Sequence, residues 1–108
     1  EAFGGTAAIN IVKGYPVLVN DDAVTKRSYD RAVQYLGADK VKITTPRMGA
    51  EDFAFYSQKV PACFYRLGTG NPEKGITSNI HTPTFNIDED ALKIGMGLMA
   101  YHAISELS

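Results

Sequence analysis

The spacing of apolar side chains changes several times along the chain, and each change marks an expected element. From Thr6 to Val12, Ala7, Ile9 and Ile11 alternate with Ala8, Asn10 and Val12, a period of two that predicts a strand. Lys13-Gly14-Tyr15-Pro16 breaks the pattern, because glycine loosens the backbone and proline removes a ladder donor while biasing Tyr15 toward extended geometry. The period then lengthens. Val24, Ser28, Ala32, Tyr35 and Leu36 recur at spacings of three and four, behind the capping candidates Asn20, Asp21 and Asp22 and ahead of Gly37. Together these predict a helix from about Asp22 to Leu36. Val41, Ile43 and Thr45 alternate with Lys42 and Thr44 before Pro46, which predicts a short strand wetted on one face.

Ala50 to Val60 is expected to form a short helix with Phe53, Tyr56 and Val60 on one face, Glu51 and Asp52 in the first turn, and Pro61 as its stop. Ala62 to Gly68 is dominated by aromatic and apolar residues and reads as a strand buried on at least one face. Gly68 to Thr84 is rich in glycine, proline, asparagine, serine and threonine, the composition of a long loop expected to line a cleft. The last helix is expected to start at a cap on Asn86 or Asp88, with Asn86 and Glu89 at capping-box spacing. Its buried stripe is expected to be Leu92, Met96, Met99, Ala103 and Leu107, docked on a sheet. Strands alternating with helices predict an α/β layer arrangement.

Composition narrows the class. The 108 residues are 44% hydrophobic and 21% charged, as in one soluble globular unit rather than a disordered segment. A formal net charge of -1, with acids and bases interspersed, leaves no basic footprint for nucleic acid or an acidic membrane surface. No apolar run approaches the roughly twenty residues needed to span a bilayer. The single cysteine, Cys63, excludes an internal disulfide and a thiolate zinc ribbon, and fits a reducing, cytoplasmic setting or a small buried hydrophobe. Glu1 stands where a methionine would start a reading frame, so the sequence reads as one entered partway.

Few residues could carry chemistry. His81 lies in a polar loop before a helix, between Ile80 and Thr82-Pro83, where an imidazole can be presented as a metal ligand or base without deforming an element. A solvated, turn-stabilising histidine accounts for the same pattern. His102 flanks the stripe of the last helix and is assigned no chemistry. Glu51 and Asp52 are adjacent, so on a helix their side chains diverge and form no acid/base dyad.

Three segments occur in order: MGAEDFAFY, VPACFYRLGTG, and HTPTFNIDEDAL ahead of an apolar helix. They resemble the C-terminal third of the aminoacylase and hippurate hydrolase branch of the co-catalytic metal amidohydrolase and carboxypeptidase family, which includes the plant auxin-conjugate hydrolases. AFGGTAAINIVKGYPVLVND shares the likeness, so it covers essentially the whole chain.

The resemblance implies a partial catalytic α/β domain with a mixed sheet flanked by helices over residues 19–108. Residues 1–18 would be the last strand of a small lid, or dimerisation, domain. It implies two divalent ions, zinc or manganese, in the complete enzyme, with His81 binding one of them and Glu51 and Asp52 supporting the ligands. Asn20 matches a position near the return from the lid, where substrate polarisation and helix capping explain it equally. The remaining ligands and a glutamate general base belong to segments upstream, so no catalytic residue is assigned within this chain, which alone is expected to be inactive. The implied reaction hydrolyses small N-acyl amino acids, hippurate-like or N-acetyl, to a carboxylic acid and an amino acid. The implied partners are the small N-acyl amino acid substrate and the remainder of the parent chain; family members often pair as homodimers through the lid, of which this chain holds too little for such a dimer to be assumed. The rivals are a dipeptidase or carboxypeptidase of the same broader family, and a non-catalytic interaction module that keeps the fold.

Overall fold

The computed structural model describes residues 3–108; Glu1 and Ala2, the first residues of the expected lid segment, lie outside them. Three helices carry the regular structure: α1 (Asp22–Leu36), α2 (Phe53–Ser57) and α3 (Asp90–Leu107). Helix α1 has the bounds its signals predict. The Asp21 carboxylate accepts from the Val24 N–H at 2.9 Å, satisfying one orphan donor, so the cap is Asp21 and not its neighbour Asn20. Gly37 closes the helix at φ 91°, and its N–H donates to the Val33 carbonyl. Ala32 is buried at the centre of the expected face, with Val24 and Ser28 half-buried on the same line.

Helix α2 is shorter than expected, because beyond Ser57 the chain turns: the Lys59 and Val60 N–H groups both donate to the Tyr56 carbonyl. Its inward residue is Ala54, fully buried, rather than Tyr56 or Val60, which are exposed. Phe53 lies against Phe64 at 5.6 Å between ring centroids, and Phe55 against Tyr15 at 5.4 Å edge to face.

Helix α3 departs furthest from its pattern. It starts at Asp90, after Glu89, with no capping box; Asn86 instead accepts from the adjacent Ile87 N–H. The buried residues are Ala91 and Leu98, with Gly95, His102 and Ser105 half-buried along the same line. Leu92, Met96, Met99, Ala103 and Leu107, the expected stripe, face outward. The helix is apolar nearly all round, so periodicity could not decide which side faces its neighbour.

That neighbour is α1, not a sheet. The two helices run antiparallel: Arg31 reaches Glu106 and the Ser105 carbonyl, while Tyr35 stacks on Tyr101 at 5.5 Å. The Tyr35 ring lies over Gly97, where a Cβ would collide with its hydroxyl, and Leu67 similarly occupies the space beside Gly95. Two glycines inside a helix are tolerated here because side chains from elsewhere fill their places.

The segments 6–12, 41–45 and 62–68 carry no β-ladder among the described residues, and the single bridge joins Asn71 to Ile76. A strand requires a neighbouring backbone to bond. What holds the last of these, 62–68, is Asn20 and Asp21: the Asp21 N–H donates to the Ala62 carbonyl at 2.9 Å, and the Asn20 side chain bonds both backbone groups of Phe64.

The overall dimensions are those of an open chain. The radius of gyration is 19.5 Å, against about 13 Å for a compact domain of this length. The buried hydrophobic residues are Ala32, Ala54, Ala91 and Leu98, while Phe3, Ile9, Ile11, Val12 and Met48 stand in solvent. The described residues build no single compact core. Among them, no helix is long and apolar enough to cross a membrane.

Candidate functional site

His81 sits at the tip of a tied loop. The loop opens with Asn71, whose side chain accepts from the Glu73 and Lys74 N–H groups and caps the tight helical turn Pro72–Lys74. Gly75, at φ 71°, ends that turn in the left-handed region, and Ile76 pairs back to Asn71 through two backbone hydrogen bonds of 2.9 Å. Past it, Thr82 Oγ1 donates to the Asn79 carbonyl at 2.7 Å, Ser78 and Thr84 share a hydroxyl contact at 2.8 Å, and the Phe85 N–H donates to the Thr82 carbonyl. His81 lies inside this small frame.

Its backbone is unusual. His81 has φ 64° and is the one non-glycine residue with positive φ among the described residues. The left-handed region costs a residue with a Cβ roughly 1–2 kcal/mol, and glycine or asparagine fills such positions more cheaply. The side chain is exposed, neither packed into a core nor tied by a hydrogen bond among those of the described residues.

The other expected site residues lie at the start of α1 and α2. Glu51 accepts from the Phe53 N–H at 3.2 Å, so its carboxylate serves the first turn of α2, while Asp52 precedes that helix and is exposed. Neither is joined to His81 by a hydrogen bond or ion pair among the described residues. The Asn20 amide is engaged at both ends: Nδ2 donates to the Phe64 carbonyl at 2.9 Å, and Oδ1 accepts from the Phe64 N–H at 2.8 Å. A substrate-facing role for Asn20 would have to act alongside that tie.

Two concavities of about 390 and 420 Å³ occur among the described residues. Asn20 lines the first, but neither is lined by His81, Glu51 or Asp52. The second lies between α1 and α3, where His102 Nδ1 is buried without a partner. Burial holds that imidazole below its ordinary value, the Arg31 charge adds to the effect, and Glu106 opposes it.

No group of three or more histidine, cysteine or acidic side chains is placed to hold a metal ion among the described residues. Held ions need three or four such ligands, and His81 by itself offers one ring nitrogen on a frame that fixes its backbone. The donor present would fit a metal only as one ligand of a set whose other members lie outside the described residues.

Sequence comparison supplies the context for that lone imidazole. The model of peptidase family M20/M25/M40 matches residues 5–104. The chain belongs to this family. Its members are metal-dependent hydrolases that generally use divalent ions. The chain is 38% identical over 102 residues to an IAA-amino acid hydrolase ILR1-like 6 of Arabidopsis thaliana, covering 91% of this chain and 22% of the relative. It is 36% identical over 95 residues to thermostable carboxypeptidase 2 of Saccharolobus solfataricus, covering 86% of this chain and 23% of the relative. To the putative amidohydrolase YhaA of Bacillus subtilis it is 33% identical over 93 residues, covering 86% of this chain and 24% of the relative. The chain thus spans between a fifth and a quarter of the length of the curated relatives it matches. No solved structure matches it significantly.

Sequence reasoning missed the clasp of Asn71, Lys74 and Asp88 at the base of the His81 loop. Lys74 Nζ bonds Asp88 and Asp90, each at 2.7 Å, and Asn71 Nδ2 donates to Asp88 at 2.6 Å. These contacts hold the Asp88 carboxyl below its usual range, the Asn71 bond contributing most, and the Lys74 ammonium well above its own. The signal was present in Asn71-Pro72, a cap followed by proline at the first helical position, but its partner lies 17 residues on.

Proposed function

We propose that the complete protein is a metal-dependent amidohydrolase that cleaves N-acyl amino acids to a carboxylic acid and an amino acid. In this reading the chain contributes the C-terminal part of the catalytic α/β domain over residues 19–108, preceded by the end of a lid domain over residues 1–18. The mixed sheet is completed by strands of the parent, which 6–12, 41–45 and 62–68 await as partners. The observation that supports the site assignment is the left-handed backbone of His81, the one residue with a Cβ in that region among the described residues, set in a tied and exposed loop.

His81 would hold one of two divalent ions, zinc or manganese, through one ring nitrogen, the other fixing the tautomer through a second hydrogen bond. Bound there, such ions supply hydroxide near neutral pH and polarise a carbonyl. The chain's own part is presentation: the Asn79–Thr84 frame fixes the His81 backbone, and the exposed ring is free to turn toward groups supplied by the parent. Glu51 and Asp52, at the start of α2, are assigned to support of the neighbouring ligands, and Asn20 to the substrate side of the lid return. The general base is assigned to the upstream part of the parent.

The test compares His81→Ala and His81→Gly in the full-length protein. Both variants should lose about one metal equivalent and most turnover of N-acetyl or hippurate-type substrates. Glycine, which relieves the left-handed backbone, should leave the metal-free protein about 1 kcal/mol more stable than alanine does. Normal metal content and rate in both variants would remove the assignment. A second reading, a carboxypeptidase, is favoured by the named carboxypeptidase relative. Faster cleavage of peptides from their C-terminus than of N-acyl amino acids would establish it instead.

A further inference from the structure

The loop that carries His81 is long, and among the described residues its hydrogen bonds to a helix lie at its base. The Asp88 N–H donates to the Thr69 carbonyl at 2.8 Å, which brings the two ends of the loop together. Both oxygens of the Asp88 carboxylate are then used: Oδ2 accepts from Asn71 Nδ2 at 2.6 Å and Oδ1 from Lys74 Nζ at 2.7 Å. Lys74 also reaches Asp90 in the first turn of α3. The Asp88 side chain is 15% exposed while Lys74 is half-exposed, so the carboxylate is the sheltered member of the clasp.

Asp88 faces two ways. Toward α3, its carbonyl accepts from the Ala91 N–H at 3.0 Å and its Oδ1 from the Asp90 N–H at 3.3 Å, completing the entry of the 18-residue helix. Toward the loop, the same carboxylate grips Asn71, whose own oxygen caps the turn Pro72–Lys74. The loop is therefore indexed against the longest helix of the chain through one acidic side chain. A side chain on a loop with a free base samples many positions, whereas a closed base removes that freedom before any ligand binds.

We propose that Asn71, Lys74 and Asp88 act as positioning residues that set where the His81 imidazole is presented. The inference rests on the assignment of His81 as a metal ligand and extends it to residues that touch neither metal nor substrate. It differs from a merely structural role in what it should change. Loss of the clasp should weaken metal binding with little effect on the rest of the fold, and excess metal should restore turnover.

The experiment uses the full-length protein, stripped with a chelator and titrated with Mn²⁺, in wild-type, Asp88→Ala, Lys74→Met, Lys74→Arg and His81→Ala forms. Amide exchange is followed over residues 77–85 and over α1. Asp88→Ala and Lys74→Met should speed exchange in 77–85 but not in α1, raise the Kd of one ion about tenfold, and recover kcat at saturating Mn²⁺. Lys74→Arg, which keeps the two ion pairs, should stay near wild type. Should Asp88→Ala fail to fold, the half-exposed Lys74 gives the same readings. Unchanged exchange in 77–85 would overturn the clasp. Faster exchange with unchanged metal affinity, while His81→Ala loses its ion, would overturn positioning alone. A His81→Ala protein that keeps both ions would remove the ligand assignment itself, and the positioning role with it.

Discussion

At the scale of single residues, the side chains that matter here are those whose bonding groups are already spoken for. Asn20 illustrates this: its amide copies the donor and acceptor of a strand neighbour and pins Phe64 to the chain just before α1. Removing it leaves two half-buried backbone groups without partners, each costing on the order of 1 kcal/mol or more. Asn20→Ala should therefore lower the stability of the full-length protein by about 1–3 kcal/mol in denaturant unfolding. A fall in kcat larger than that instability explains, at unchanged fold, would mark a share in substrate polarisation. Asp21 was legible as a cap because capping acts within one turn, whereas the Asn20 bond crosses more than forty residues and left no local trace.

At the scale of elements, the α1–α3 pair is held by interdigitation that no helical period encodes. Gly97→Ala would by propensity favour the helix by about 1 kcal/mol, yet its new Cβ would strike the Tyr35 hydroxyl and disturb the stack on Tyr101. The expected outcome is a loss of about 1–3 kcal/mol with Tyr35 present and a gain when Tyr35→Leu is combined with it. Additive effects in that double-mutant cycle would contradict the packing. The same interface carries a titration. His102 faces Arg31 and Glu106 across it, lies against Tyr65 at 5.7 Å, and shares its concavity with Arg27 and Cys63. Its folded value is below the ordinary 6.5, so the unfolded chain takes up a proton more readily. The stability it contributes is complete above about pH 6.5 and drains as pH falls through the lower folded value. Thermal melts of the full-length protein should show a fall as the pH drops below about 6.5 that His102→Gln abolishes. Glu106, held below its ordinary 4.5 by Arg27 and Arg31, loses its pairing only in stronger acid, so the two effects separate on the pH axis.

At the scale of the whole molecule, surface decides. An accessible area of 9339 Å² exceeds the roughly 5,900 Å² of a compact chain of this mass, and much of the excess is apolar. Ile9, Ile11 and Val12, the outer face of α3 at Leu92, Met96 and Met99, and Met48 all lack cover. Such surface in water favours association. The 108-residue chain expressed alone should bind a hydrophobic dye and unfold without a sharp transition, while the full-length protein should do neither. A cooperative melt of the isolated chain would show that it closes a core of its own.

The bounds of α1 and the loop around His81 were settled by caps, glycines and prolines, because those act on the backbone within a few residues. The facing of α3, the choice of Ala54 over Tyr56 as the buried residue, and the clasp on Asp88 were decided only in three dimensions. Each depends on a surface or a charge brought from a distant part of the chain. An α-helix apolar on every side has no preferred orientation until a neighbour arrives, and a strand has no ladder until another backbone lies beside it.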